Sequence, residues 1–510
     1  ISFHSDEAIV ALMARHILQG EMPTFFYGQH YMGSLNAFGT AGAFALFGDQ
    51  VAAIRGVQFI TYLAVTASSY AVAWHLSHDR IVALAGGLTL AIPAPIIVIY
   101  TATNIGSYAE TMLIGNLLLI LGYDVARAHP YDLRRWIALG LLTGLGWWAH
   151  GLIIAYALPV ALFAMWSLVR VVEDRARYAR LIVVGLFTFF IGGAPWWLYN
   201  FANGWAAAGV YLSFGSDSGG LESSLFERFI GLVLLGIPAV VGMRYTWLAY
   251  FAIPVGIIVI GLVLVAGWRL ARAETPPLRD SARFLVLGVP LGLIAVFLAS
   301  SFGADPTGRY LLPLIVPFAM WVGVLASDWH AQEWSGKRRW LWLLPIVIVS
   351  GYHAAGVTIA ALRNDPGFTT QFNLETHTSN TYDAEVIEWL RANNLQHGYT
   401  NYWIGYRLAF LSAEDLQYAT SLSYRADEIA GNIVERYPAY ALATEANERN
   451  AYVSWDNLPD QNERLQSAFD AQDITYQTHE IGPFNIYHDF TRDGSSYRPP
   501  QPIQLEEWLE

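Results

Sequence analysis

The chain contains no cysteine in its 510 residues. That excludes disulfides, a thiol nucleophile and a thiolate metal site, and it leaves the compartment open. Charge is scarce as well, with 14% of residues charged against 55% hydrophobic. With 19 Trp and a positive mean hydropathy, this is a polytopic membrane protein rather than a soluble enzyme. No Walker loop, dinucleotide fingerprint, zincin pair or G-x-S-x-G elbow occurs, so soluble nucleotide chemistry has no support. No basic stripe is present either: the formal charge of -12 falls mostly after about residue 363, so no nucleic-acid partner is implied. There is no internal repeat of fixed period. The chain opens on a polar stretch without an initiator Met, and we expect a transmembrane helix upstream of it.

What is present begins with Phe3-His4-Ser5-Asp6-Glu7-Ala8. Ile9, Leu12, Met13 and Ile17 then recur at helical spacing, and Gly20 and Pro23 end the run, which predicts an interfacial helix with Ser5 as N-cap. The next run, Phe25 to Tyr31, mixes aromatic and polar residues, His30 among them, as expected at headgroup depth or along a pocket. The segment 33–48 would be about 24 Å long as a helix, short of the roughly 30 Å hydrocarbon core. Better spanning candidates are 52–76, 80–100, 107–126, 134–149, 151–171, 180–200, 246–268, 283–301, 309–327 and 340–361.

If 33–48 and the similar piece 228–243 do not cross, the basic clusters at Arg80, Arg127 to Arg135, Arg170 to Arg180, Arg269 to Arg283 and Lys337 to Arg339 all fall on one side. The positive-inside rule makes that side cytoplasmic. The outer side then receives the Asp6/Glu7 loop, the 100–110 loop, His150, the 201–227 loop, the 301–310 loop and the C-terminal region. After Ala361 the chain turns polar and acidic. Helical patterns at 383–393, 426–436 and 460–471 alternate with strand-like runs at 399–404, 440–444, 475–480 and 484–488. These predict a mainly α transmembrane bundle over 1–362 and an extracytoplasmic α/β domain over 363–510.

Three outer loops carry polar groups beside apolar helices. The first has Asp6 and Glu7, the second Asn104, Ser107, Tyr108 and Glu110, the third Asp305, Arg309 and Tyr310. Acids in a first helical turn gain from the helix dipole, and that bland role competes with a catalytic one for Asp6, Glu7 and Glu110. Arg309 opens a helix, where the dipole gives a cation nothing, so a phosphate ligand held by its guanidinium fork would explain it. The competing role is an interfacial arginine snorkelling to headgroups. Arg55 is a candidate of the same kind, and His150 reads as a capping residue before a base or ligand.

Ser5-Asp6-Glu7-Ala8 with its amphipathic helix, the segment from Tyr31 to Gly48, Arg55, and Thr307-Gly308-Arg309-Tyr310-Leu311-Leu312-Pro313 resemble the GT-C glycosyltransferases. The branch most similar is the protein O-mannosyltransferase and aminoarabinose-transferase-like group, over roughly residues 1–320. The resemblance implies an integral-membrane transferase of the plasma (inner) membrane that moves a sugar from a polyprenyl-phosphate donor to a lipid, glycan or protein acceptor at the outer face, with inversion. It implies Asp6 as catalytic base with Glu7 its neighbour, and Glu110 as a second acid. Arg309, Tyr310, Arg55, Tyr108 and His30 are the candidates for substrate binding. Metal dependence differs between branches of the family, so the cofactor stays open and no metal ligand is assigned. A catalytically silent scaffold or accessory subunit with the same fold is the alternative. A transporter is disfavoured, because the polar residues cluster at one face and no paired broken helices stand out at mid-membrane.

Overall fold

A computed structural model describes residues 1–212, 224–273, 277–305, 307–332, 336–363, 368–370, 376–377, 379–430 and 435–509. The chain divides into two compact units, one of residues 1–29, 40–51 and 371–510, the other of residues 30–39 and 52–370. Asp6 and Glu7 therefore belong with the C-terminal residues.

In chain order the elements of the membrane part are α1 (Ser5–Leu18), β1 (Phe25–Phe26), β2 (Gln29–Gly33), α2 (Leu35–Phe47), α3 (Val51–Ser77), α4 (Arg80–Ala91), α5 (Pro95–Ala102) and α6 (Tyr108–Tyr123). They continue with α7 (Leu133–Ala149), α8 (Ile154–Arg170), α9 (Arg175–Gly192), α10 (Ala194–Ala202), α11 (Ala206–Leu212), α12 (Leu225–Gly231) and α13 (Ile237–Val240). The last are α14 (Ile253–Arg272), α15 (Arg283–Ala299), α16 (Ile315–His330) and α17 (Leu344–Leu362).

Six segments among the described residues are long and apolar enough to cross a membrane: Val51–Ser77, Tyr108–Ala128, Gly151–Arg170, Ile253–Arg272, Arg309–His330 and Trp340–Leu362. The expected spans 80–100 and 180–200 are not straight. α4 and α5 meet at 68° and α9 and α10 at 67°. Ile92-Pro93-Ala94-Pro95 and Gly192-Gly193-Ala194-Pro195 explain both bends, since proline cannot donate the next helical hydrogen bond and pushes its predecessor out of the helical region. The expected span 246–268 begins later, at Ile253. Ala252 is left-handed at φ 40° with Pro254 in the first turn, while Tyr245 stacks on Trp247 in the preceding loop. Neither 33–48 nor 228–243 forms a crossing helix: α2 has 13 residues, and the second piece is broken into α12, a π-helical turn and α13.

α7 and α9 approach closely through small residues. A Cβ on Gly140 would lie 2.2 Å from the carbonyl of Gly185, and one on Gly144 would lie 2.1 Å from that of Phe189. Such contacts supply van der Waals packing where lipid removes the hydrophobic drive. The two ends of the bundle differ in chemistry. At the end where α3 and α6 finish, Asp124 accepts from His75 at 2.8 Å and from Arg135 at 3.0 Å, and Arg127 pairs with Asp280. The other end, where α6 and the 309–330 span begin and α7 and α15 finish, holds the aromatic and cationic residues treated below.

α1 differs from the expected interfacial helix. His4, without a side-chain cap bond, occupies the N-cap position, and Ser5 is already helical. Residues Ala8 through Ala14 are all buried, because Val10, Ala11 and Ala14, between the stripe positions, are themselves apolar. The remaining elements are α18 (Asp383–Ala392), β3 (His397–Asn401), α19 (Tyr402–Leu411), β4 (Gln417–Leu422), α20 (Pro438–Ala446), β5 (Ala451–Trp455), α21 (Pro459–Asp470), β6 (Thr475–Ile481), β7 (Phe484–Arg492), β8 (Ser495–Ser496) and α22 (Pro502–Glu507). The sheet order is β4-β3-β5-β7-β6 with β8 on β7. β3 is parallel to β4 and β5, and β7 is antiparallel to β5 and β6.

The helices expected at 383–393 and 460–471 and the strands at 475–480 and 484–488 are present. The run 399–404 splits: the Asn401 side chain accepts from the N–H groups of Trp403 and Ile404, which stops β3 and starts α19. The expected strand 440–444 is helix α20, started by Pro438 at its first position. The expected helix 426–436 lies partly outside the described residues, and its described part is turn and bend.

Candidate active site

In the unit formed by residues 30–39 and 52–370, Gly308 and Arg309 begin the 309–330 span. Gly308 is left-handed at φ +84°, and a Cβ there would stand 2.9 Å from that of Ala239. This turn sets Asp305 to accept from the Thr307 N–H at 2.8 Å and to pair with Arg309 at 2.8 Å. The guanidinium stacks over the Tyr310 ring, 4.9 Å from its centroid. Its Nε is buried without a hydrogen-bond partner.

Around Tyr310 stand Phe302 at 4.8 Å and His150 at 6.4 Å between ring centroids. His150 also meets Tyr108 at 5.0 Å and Tyr31 at 6.1 Å. Its position is fixed by an antiparallel bridge to Met32 and by a close approach at Gly33, where a Cβ would stand 2.1 Å from the Trp148 carbonyl. His150 does cap a helix: its Nδ1 accepts from the Leu152 N–H at 3.0 Å. Burial, and after it the charge of Arg309, lowers the imidazole to about 3. The ring is therefore neutral near pH 7 and carries its proton on Nε2, which is buried with no hydrogen-bond partner.

His150, Tyr310, Tyr31, Phe302, Trp147 and Phe297 line a cavity of about 210 Å³, whose remaining lining includes Leu293 and Val296. A mostly apolar cavity with a few convergent polar groups is the usual form of a small-ligand site.

The other residues singled out from the sequence in this unit lie elsewhere. Glu110, in the first turn of α6, accepts from the Gln58 side chain at 3.1 Å, and its second oxygen is buried without a partner. Arg55 precedes Gln58 on α3 by three residues, one face of one helix. His30 hydrogen-bonds Tyr199 at 3.0 Å and is lowered by burial. Its neighbour Tyr31, not His30, reaches the cavity. Tyr108 and Tyr310 are brought together with Arg309, whereas Glu110 contacts Gln58 and His30 contacts Tyr199.

In the unit of residues 1–29, 40–51 and 371–510, Asp6 is half-buried at the start of α1 and accepts a hydrogen bond from the Tyr402 hydroxyl. Glu7 is fully buried. Arg436 lies over the Tyr402 ring at 5.7 Å and donates to the Gly28 carbonyl at 3.1 Å. Sequence reasoning singled out neither Tyr31 and the free Nε2 of His150 in the unit that holds Arg309 nor Tyr402 and Arg436 in the unit that holds Asp6. Tyr402 and Arg436 lie some four hundred residues from Asp6 in the chain, and no local pattern marks them. Among the described residues no three His, Asp or Glu side chains are grouped to hold a metal ion.

No protein-family model matches the chain. Nor does it match any curated protein sequence. Solved structures do resemble it. ArnT from Cupriavidus metallidurans in the apo state superposes with a TM-score of 0.61 at 13% identity, over 94% of this chain and 92% of that one. The same protein bound to undecaprenyl phosphate gives 0.59 at 13%, over 97% and 95%. The Archaeoglobus fulgidus oligosaccharyltransferase in complex with Zn and sulfate gives 0.50 at 11%, over 96% and 69%. The chain therefore shares the fold of these membrane proteins, the fold expected of it from its sequence.

Proposed function

We propose that this protein is a glycosyltransferase that moves a sugar from a polyprenyl-phosphate donor to an acceptor at the outer face of the plasma (inner) membrane. The observation that carries this reading is a pair of buried N–H donors without partners, Arg309 Nε and His150 Nε2. His150 lines a largely apolar cavity of about 210 Å³ and Arg309 stacks on Tyr310, another of its lining residues, in a fold shared with a protein that has been crystallised bound to undecaprenyl phosphate. Guanidinium and neutral imidazole donors suit phosphate oxygens, and the apolar wall suits the start of an isoprenoid chain.

Asp6 takes the proton of the acceptor hydroxyl or amine as that atom attacks the anomeric carbon. The bond from that carbon to the phosphate oxygen breaks, and configuration inverts. The leaving polyprenyl phosphate keeps the electron pair, and Arg309 meets the added negative charge. Asp305 shares the Arg309 charge through one terminal nitrogen, leaving Nε for the phosphate. Glu110, held by Gln58, and Arg55 are assigned to organising the polar end of α3 and α6. The domain after about residue 363 lies outside the cytoplasm in this reading, on the side opposite the basic clusters.

Deleting the gene and resolving lipid-linked sugars by thin-layer chromatography tests the proposal. One polyprenyl-phosphate sugar should accumulate, and Asp6→Asn should fail to clear it while reaching normal membrane levels. An unchanged lipid-linked sugar pool, the result a silent scaffold would give, or full clearance by Asp6→Asn overturns it.

A further inference from the structure

Tyr402 opens α19, and the hydrogen-bond partner of its hydroxyl is Asp6 Oδ1. The phenol is held firmly. Asn401 caps its helix, Trp403 and Tyr406 flank the ring at 5.0 and 5.7 Å, and Arg436 covers it. Arg436 is itself seated against Gly28, which is left-handed at φ +68° and where a Cβ would come within 2.9 Å of the arginine side chain. Burial first, and then the nearby Asp6 charge, push the phenol well above its usual range, with Arg436 opposing. Tyr402 is thus a hydrogen-bond donor at every pH the protein meets.

A carboxylate that serves as a base must be ionised and correctly aimed before its proton arrives. An oxygen already committed to a fixed donor does both: it stabilises the charged form and selects one rotamer. We propose that Tyr402 is the positioning residue of Asp6, binding Oδ1 so that one rotamer is held and Oδ2 is presented to the acceptor proton. This inference rests on the reading of Asp6 as the base. Other charged and titratable groups on the packed elements are His4 and Glu7 on α1, Tyr406 on α19 with its partner Glu435 at 2.6 Å, and Arg436. Further along the same helices, Arg15 and His16 pair with Glu414, and Arg407 pairs with Asp383.

The test is pH-difference infrared spectroscopy on the detergent-solubilised full chain, in which the band lost in Asp6→Asn identifies the Asp6 carboxyl. In Tyr402→Phe the separation between the antisymmetric and symmetric carboxylate stretches of Asp6 should narrow, because its two oxygens become more alike when Oδ1 loses its donor. Incorporating 3-fluorotyrosine at 402, a stronger donor of nearly the same shape, should widen it, and this arm stands if the phenylalanine variant does not fold. A separation that changes in neither variant overturns the proposal. Turnover by Asp6→Asn would overturn the base assignment while leaving the infrared result intact, so the two failures are distinguishable.

Discussion

Arg309 and Asp305 form an ion pair at 2.8 Å across one helical-turn spacing, with the aspartate 14% exposed and the arginine 32% exposed. The pair turns a single cation into an oriented donor, because the bond at one terminal nitrogen fixes where Nε points. Arg309→Lys keeps the charge and loses the fork. Its donor KM should rise about tenfold, the worth of one charge-assisted hydrogen bond. Arg309→Ala also strands Asp305, and we expect a loss of about 1–3 kcal/mol in stability. Thermal unfolding followed by tryptophan fluorescence checks this, with Asp305→Asn added to Arg309→Ala expected to recover part of the loss.

His150 caps Leu152 through Nδ1 and is proposed to donate to the ligand through Nε2, and the two roles are separable. Asparagine can place its side-chain oxygen near the position of Nδ1 and keep the cap on Leu152, but it lacks a donor reaching as far as Nε2. His150→Asn should therefore unfold within about 0.5 kcal/mol of the wild type while binding the proposed polyprenyl-phosphate ligand about tenfold more weakly. His150→Ala, which also loses the cap, should cost about 1 kcal/mol more. Because burial and Arg309 hold the imidazole near 3, it stays neutral through the physiological range. Neither variant should change the shape of the binding curve between about pH 6 and 8, which titration of lipid-dependent thermal stabilisation would show.

Much of this architecture is legible in the sequence, for identifiable reasons. Apolar runs are long-range signals that survive averaging, so the six long apolar helices and the shortness of 33–48 and 228–243 can be read. The bends at Pro93 and at Gly193 with Pro195 were also written in the sequence, but apolar windows of about twenty residues pass over such local breaks. In the C-terminal region the run 440–444 reads as a strand, although Pro438 just before it and the alanines around it favour a helix. Within the candidate site, Arg309 stood out because a cation at a helix start lacks a dipole reason to be there. Tyr402 could not be found in this way, since its meaning comes from Asp6, 396 positions away.

Glu414 provides a pH test of the unit that carries Asp6. Burial raises its carboxyl, but hydrogen bonds from His16, Tyr440 and Arg15 outweigh that and hold it at about 2, below its ordinary 4.5. A carboxyl depressed on folding contributes stability that is fully present above about pH 4.5 and is lost as pH falls through about 2. Glu414→Gln should lower the urea midpoint at pH 7, and the gap from the wild type should narrow at pH 3, measured by far-UV circular dichroism. An equal gap at both values would show that the ionised form carries no stabilisation.

The turn before Arg309 can be tested without touching a polar group. Gly308→Ala introduces two separate penalties: a left-handed φ of +84° and a Cβ 2.9 Å from that of Ala239. Together they should cost about 1–3 kcal/mol. They also act on the geometry by which Thr307 and Asp305 aim Arg309, so binding of the proposed polyprenyl-phosphate ligand should weaken along with stability. Adding Ala239→Gly removes the steric contact and leaves the backbone strain, and it opens only a methyl-sized gap. If both penalties act, the double variant should recover part of the thermal stability lost by Gly308→Ala and remain below wild type. Full recovery would place the whole effect in the contact with Ala239, and none would place it in the left-handed turn.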